Sequence, residues 1–111
     1  MMFFQRKSSI TPEQAAQRLA AGELLLIDVR EPAEVREGWV AGAANIPLGQ
    51  LGARVREIDR GRPVAFICRS GARSATATRT VLDAGYDAFN VKGGVIAWER
   101  AGLPLSRKEL R

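Results

Sequence analysis

The stretch that most constrains the fold runs from Pro63 to Ser74 and reads PVAFICRSGARS. Its first five residues are apolar and predict a fully buried strand, as in a parallel sheet that helices cover on both faces. The only cysteine of the chain, Cys68, follows directly. Ser74 predicts the N-cap of a new helix. The segment therefore predicts a strand–loop–helix unit with a thiol in its loop.

Cys68 stands where a parallel strand passes into a helix, and backbone N–H groups at such a junction favour negative charge. A thiol placed there ionises more easily, which predicts Cys68 as a thiolate nucleophile. Gly71 allows a tight turn, while Arg69 and Arg73 add permanent positive charge. In the alternative interpretation Cys68 is a small, unreactive core residue and the arginines are solvated surface charges.

A second nearly continuous apolar run, Leu24–Val29, precedes the first. Two buried strands separated by helical segments predict an α/β fold with a central parallel sheet. Thr11 and Pro12 predict the start of a helix, as N-cap and first helical residue. Other patterns predict strands over residues 43–46 and 88–91 and helices over residues 34–38, 51–58, 74–84 and 94–101.

The length of 111 residues predicts a single domain. One cysteine cannot form an intramolecular disulfide, which favours a reducing, cytoplasmic setting. No apolar run approaches the ~20 residues of a membrane span, so no membrane segment or export signal is expected.

Seventeen Lys and Arg against twelve Asp and Glu give a net charge of +5. The positive residues are spread along the chain without a nucleic-acid motif, so we expect no nucleic-acid partner; such a surface would instead attract small anions. Histidine is absent, which excludes Ser–His, Cys–His and zinc mechanisms. We therefore expect no metal and no cofactor, and activation of Cys68 must come from backbone dipoles and arginines.

Four segments together resemble single-domain rhodaneses, sulfurtransferases that carry sulfane sulfur as a cysteine persulfide. Cys68–Ser74 resembles their active-site loop, Asp28–Glu31 their D-x-R motif, and Glu34–Pro47 their segment ending in N-I-P. Lys92–Pro104 is similar to their closing G-G-x-x-x-W and G-L-P signature. The likeness spans roughly Ser8 to Leu105.

This resemblance implies a rhodanese-like domain over residues 8–105. The residues outside it predict a flexible N-terminus over residues 1–7 and a charged tail over residues 106–111. The fold that the resemblance implies has three layers, with a mostly parallel sheet of about five strands between helices. Asp28 and Arg30 are expected to support the active loop. Substrate binding is expected from the loop residues Arg69, Ser70, Gly71, Ala72, Arg73 and Ser74.

The resemblance also implies the reaction. Cys68 would take sulfur from a small anionic donor such as thiosulfate and hold it as a persulfide. Because the chain has no second cysteine, the acceptor must be external: a cellular thiol, a protein, or cyanide in an assay. The reaction requires that Cys68 Sγ lie among the loop amides and be open to solvent.

Two other functions stay open. Cysteine phosphatases and arsenate reductases use a similar loop, but with more than the four residues that separate Cys68 from Arg73. A non-catalytic module for protein interaction or sulfur relay could keep the same fold.

Two single residues also have other interpretations. Asp28 could equally be a turn-capping carboxylate. Trp39, where the family commonly has histidine, is expected to pack on the core or a partly exposed patch rather than to stack on substrate.

Overall fold

The computed structural model describes residues 8–107, and the predicted flexible N-terminus over residues 1–7 lies outside that range. Five strands form one sheet in which every ladder is parallel, in the order β1-β5-β4-β2-β3. The strands are β1 Ser9–Ile10, β2 Leu25–Asp28, β3 Ala44–Asn45, β4 Val64–Ile67 and β5 Ala88–Val91. The predicted α/β fold with a parallel sheet of about five strands is confirmed.

The central strand is β4, whose residues are all fully buried. It pairs with β2 on one side and β5 on the other. Because helices cover both faces, its sequence is a continuous apolar run rather than an alternating one. Cys68 therefore leaves the middle of the sheet at its carboxyl edge, where α/β folds place their ligand sites.

The helices are α1 Pro12–Ala20, α2 Pro32–Val35, α3 Leu48–Arg54, α4 Ala72–Asp83 and α5 Gly94–Arg100, and a 3₁₀ turn spans Val55–Glu57. On one face of the sheet α3 and α4 pack over a core that includes Phe66 and Val81. On the other face α1 and α5 pack over a core that includes Ile67 and Trp98. These are the three predicted layers. No helix within residues 8–107 is long and apolar enough to span a bilayer.

The start of α4 differs from the prediction. The helix begins at Ala72, and its N-cap is Gly71 with a φ of 108°. The predicted N-cap at Ser74 is therefore wrong, and Ser74 lies inside the first turn. A left-handed residue allows the chain to turn into the helix earlier, and glycine adopts that conformation without steric cost.

Two further helices also begin earlier than predicted. The helix expected to start at Glu34 starts at Pro32, because proline suits the first position of a helix. The helix expected over residues 51–58 starts at Leu48 and gives way to the 3₁₀ turn at Val55. Neither shift moves the Cys68 loop.

The last described residues pack back on the domain. Trp39 and Ser106 exchange two backbone hydrogen bonds, of 2.9 and 2.7 Å, in an antiparallel bridge. The tail predicted over residues 106–111 thus begins with a residue that the domain holds. Residues 108–111 lie outside the described range. Trp39 is partly buried beside this bridge.

Candidate active site

Cys68 lies immediately after β4, and its Sγ faces donors from the following loop. The backbone N–H of Gly71 donates to Sγ at 3.1 Å, and the hydroxyl of Ser74 lies 3.2 Å from Sγ. Both donors come close because the left-handed backbone at Gly71 turns the loop into α4 directly beside the sulfur. The sulfur therefore sits among polar hydrogens at the border of the apolar core.

Opposing effects set the pKa of the Cys68 thiol. Burial raises it, because a low dielectric disfavours the thiolate. Hydrogen bonds from the Ser74 hydroxyl and from the backbone N–H groups of Ser74, Gly71 and Ser70 lower it. The hydrogen bonds together outweigh burial, so the pKa of Cys68 lies below its ordinary value. A lowered pKa is what a nucleophilic thiol requires.

The start of α5 fixes the direction of the loop peptides. The N–H of Val95 donates to the carbonyl of Cys68 at 2.8 Å, and that of Ile96 donates to the carbonyl of Arg69 at 3.1 Å. Because the C=O and N–H of a trans peptide point in opposite directions, this turns the N–H of Ser70 away from α5 and towards the sulfur. This close approach requires Gly94, where an added Cβ would collide with both carbonyls.

The solvent access expected for the thiol is wrong for this conformation. Cys68 is only 1% exposed. Burial follows from the same contacts that lower its pKa, because the donors that surround Sγ also cover it. The loop residues Arg69, Ser70 and Ala72 are themselves exposed, so the buried sulfur belongs to a loop that faces solvent.

Arg73, in the first turn of α4, forms a bidentate ion pair. Its guanidinium donates to both carboxylate oxygens of Glu34, at 2.7 and 2.8 Å. Hydrogen bonding to Arg73 lowers the pKa of Glu34 to about 2, and the carboxylate in turn raises the pKa of Arg73. Arg73 is thus paired with a carboxylate of the chain itself, whereas the sequence predicted that it would hold a substrate anion.

Arg69 is the cation at the loop that is free of such a partner. It is exposed and makes no salt bridge with any other residue between 8 and 107. It lines a cavity of about 240 Å³ whose other charged residues are Arg30, Glu34, Glu37, Glu99 and Arg107. Within the same described range, no group of three or more acidic or cysteine side chains could hold a metal ion.

Asp28 and Arg30 form a buried ion pair at the end of β2. The carboxylate of Asp28 accepts from the Arg30 guanidinium, with Nη2 to Oδ2 at 2.7 Å, and from its backbone N–H at 3.0 Å. Arg30 also donates to the carbonyls of Gly38, at 2.7 Å, and Glu34, at 3.4 Å. The pair thus contacts the backbone of the residue whose carboxylate binds Arg73. That it supports the active loop stays a prediction.

Sequence reasoning missed two residues that contact the loop. Glu34 was predicted only as a helix start and as part of a resembling segment, and its pairing with Arg73 is a tertiary contact. Asn90, on β5, accepts from the hydroxyl of Ser74 at 2.6 Å and donates to the carbonyl of Gly71 at 3.2 Å. An asparagine inside a short strand is unfavourable on propensity alone, and that was the available signal for a polar role.

A family model for the rhodanese-like domain matches residues 11–101. The chain is 41% identical over 104 residues to a sulfurtransferase from Allochromatium vinosum, a match that covers 92% of this chain and 97% of that protein.

Solved structures with the same fold include rhodanese-related proteins. A rhodanese-related protein from Thermoplasma volcanium matches with a TM-score of 0.84 and 30% identity, over 90% of this chain and 98% of that one. A thiosulfate sulfurtransferase from Pseudomonas aeruginosa matches with a TM-score of 0.84 and 27% identity, over 95% of this chain but 21% of that one. The likeness covers nearly the whole chain.

Proposed function

The chain belongs to the family of rhodanese-like domains, and we propose that it transfers sulfane sulfur through a persulfide on Cys68. The donor is a small sulfur anion such as thiosulfate, and the acceptor is an external thiol, a protein or, in an assay, cyanide. The observation that carries the proposal is the set of donors around Cys68 Sγ, which stabilise negative charge on sulfur.

The reaction is a double displacement. The Cys68 thiolate attacks the outer sulfur of thiosulfate, a new S–S bond forms, and sulfite leaves with the electron pair of the old one. An acceptor such as cyanide then attacks the outer sulfur of the persulfide, and thiocyanate forms as the thiolate returns. No step needs a general base, because the loop donors already favour the ionised thiol.

Approach of the donor requires the loop to open. Cys68 is 1% exposed, and the exposed residues Arg69, Ser70 and Ala72 have to shift for the outer sulfur of thiosulfate to reach Sγ. Arg69 attracts the donor anion, because no carboxylate among residues 8–107 lies within ion-pair distance of its guanidinium. Arg73 contributes through its field and its remaining N–H groups while paired to Glu34.

The test is the formation of thiocyanate by the purified protein from thiosulfate and cyanide. We expect turnover by the wild type, none by Cys68→Ser, and a mass gain of one sulfur atom on Cys68 after thiosulfate alone. Thr80→Ala, which removes an exposed hydroxyl elsewhere on α4, should leave turnover unchanged. Hydrolysis of an aryl phosphate without any sulfur donor would instead indicate a phosphatase, and a wild type that gains no sulfur would refute the proposal.

A further inference from the structure

Ser74 has two acceptors for one hydroxyl proton. Its oxygen lies 2.6 Å from Asn90 Oδ1 and 3.2 Å from Cys68 Sγ. Ser74 is fully buried, so the hydroxyl has to find its partners inside the protein. A hydroxyl carries a single proton and can donate to only one of these atoms at a time.

We propose that Asn90 is a positioning residue for Cys68: its side-chain carbonyl competes with Sγ for the proton of Ser74 and so limits how readily the thiolate forms. The shorter of the two distances is the one to Asn90. In the neutral state the Cys68 S–H is itself a donor, and Ser74 gives its proton to Asn90. When the thiol ionises, the hydroxyl turns to Sγ and the carbonyl of Asn90 loses that donor.

The same competition operates in the sulfur-loaded state, and this part of the inference rests on the proposed function. In a persulfide the charge lies on the outer sulfur, and Sγ becomes a weak acceptor. The hydroxyl then returns to Asn90, so Asn90 holds the Ser74 proton in each state in which Sγ does not need it. Once the acceptor has removed the outer sulfur, Cys68 is again a thiolate, and the Ser74 hydroxyl again donates to Sγ.

The loop should keep its conformation when the second contact of Asn90 is removed. Its Nδ2 donates to the carbonyl of Gly71 at 3.2 Å, but that carbonyl also accepts from the N–H of Ala75 at 3.1 Å, inside the first turn of α4. Removing the amide therefore leaves no carbonyl without a partner. The main consequence of a substitution at Asn90 falls on the Ser74 proton.

Two substitutions should thus act in opposite directions. Asn90→Leu removes the competing acceptor, so iodoacetamide should alkylate Cys68 about fivefold faster at a pH below its pKa, as expected for one neutral hydrogen bond. Ser74→Ala removes the donor to the thiolate and should slow alkylation about tenfold. Charged groups around the loop stay unchanged in both variants: Arg69, Arg73, Glu34, Asp28 and Arg30.

The experiment measures alkylation rate against pH for the wild type, both single variants and the double variant, with Thr80→Ala as a matched hydroxyl control on α4. We expect Asn90→Leu to shift the profile to lower pH only when Ser74 is present. It is overturned if Asn90→Leu leaves the profile in place, shifts it upward, or shifts it equally in the Ser74→Ala background.

Circular dichroism identifies any variant that does not fold, and Asn90→Ala then replaces Asn90→Leu with the same expected direction. The readout needs no sulfur donor. A protein that shows the predicted shifts but forms no thiocyanate would therefore refute the proposed function and leave the role of Asn90 intact. Turnover without the shifts would refute the role of Asn90 and leave the proposed function intact.

Discussion

Arg73 binds both carboxylate oxygens of Glu34 and thereby connects the first turn of α4 to α2. The two side chains are 36% and 32% exposed, so solvent weakens the pair but does not remove it. The pair gives Arg73 a fixed direction at the edge of the Cys68 loop. It also keeps one guanidinium of the site neutralised before any substrate arrives.

The Glu34–Arg73 pair predicts a pH-dependent contribution to stability. The pKa of Glu34 is about 2 in the fold against an ordinary 4.5. A lowered carboxyl pKa stabilises the fold above pH 4.5, and the contribution disappears as the pH falls to about 2. Glu34→Gln should therefore lower the free energy of unfolding by about 1 kcal/mol at pH 7 and by little near pH 2.

Urea unfolding at a series of pH values measures this difference. Glu57→Gln is the matched control, because the carboxylate of Glu57, which pairs with Arg54, is 55% exposed against 32% for Glu34, and its effect at pH 7 should be smaller. If Glu34→Gln costs the same at pH 2 as at pH 7, the ion pair is not the source of the loss.

Arg69 is predicted to serve substrate attraction. An unpaired exposed cation interacts with an anion by about 1 kcal/mol at close range in water, so Arg69→Ala should raise the KM for thiosulfate about fivefold with little change in kcat. Steady-state thiocyanate assays at low salt measure both constants. Arg79→Ala, an exposed arginine farther along α4, should change neither, and an equal rise in KM for both variants would point to net charge alone.

The sequence was sufficient for the features that depend on local pattern. The apolar run Pro63–Ile67 predicted the buried central strand because both faces of a parallel strand must be apolar. The helix start predicted after it placed Cys68 in a loop at the end of that strand. These elements were predictable because each is determined by residues adjacent in the chain.

The rest depends on contacts between distant residues and on backbone conformation. Glu34 and Arg73 are 39 positions apart, and Asn90 and Ser74 are 16 apart, so no local pattern reveals either pair. Ser74 has the right chemistry for an N-cap, yet Gly71 takes that place because it alone in the loop tolerates a left-handed φ. Because the N-cap is Gly71, Ser74 lies in the first turn of the helix, and the Ser74 hydroxyl is buried beside Sγ.

Gly94 is predicted to be essential for packing α5 against the loop. Gly94→Ala would place a Cβ against the carbonyls of Cys68 and Arg69 at a φ of +61°, and backbone cannot give way as a flexible side chain can. We expect a loss of roughly 2–4 kcal/mol in the free energy of unfolding. Gly52→Ala, with nothing within 4 Å of its Cβ in α3, should be neutral or stabilising by about 0.5–1 kcal/mol.

Chemical denaturation of the two alanine variants at neutral pH makes this comparison. In Gly94→Ala molecules that stay folded, iodoacetamide should also alkylate Cys68 at a different rate than in the wild type, because the carbonyl contacts of α5 orient the loop N–H groups. Equal stabilities for the two variants would show that the loop and α5 can separate without cost.

Asp28 and Arg30 are predicted to act on the active loop through Glu34. Asp28→Asn removes the counter-charge of a guanidinium that is buried with it, and should cost about 3–5 kcal/mol in the free energy of unfolding. Arg30 then holds the backbone of Glu34 and Gly38 less firmly. The Glu34–Arg73 pair should weaken with it.

A double-mutant cycle distinguishes this support from a purely local role of Asp28. Urea unfolding at pH 7 gives the cost of Glu34→Gln alone and in the Asp28→Asn background, and we expect the second cost to be smaller by about 0.5 kcal/mol or more, as for residues within one hydrogen-bonded network. Glu57→Gln, in the exposed pair with Arg54, should cost the same in both backgrounds. Additive effects of Asp28→Asn and Glu34→Gln would mean that the buried pair stabilises only its own strand end.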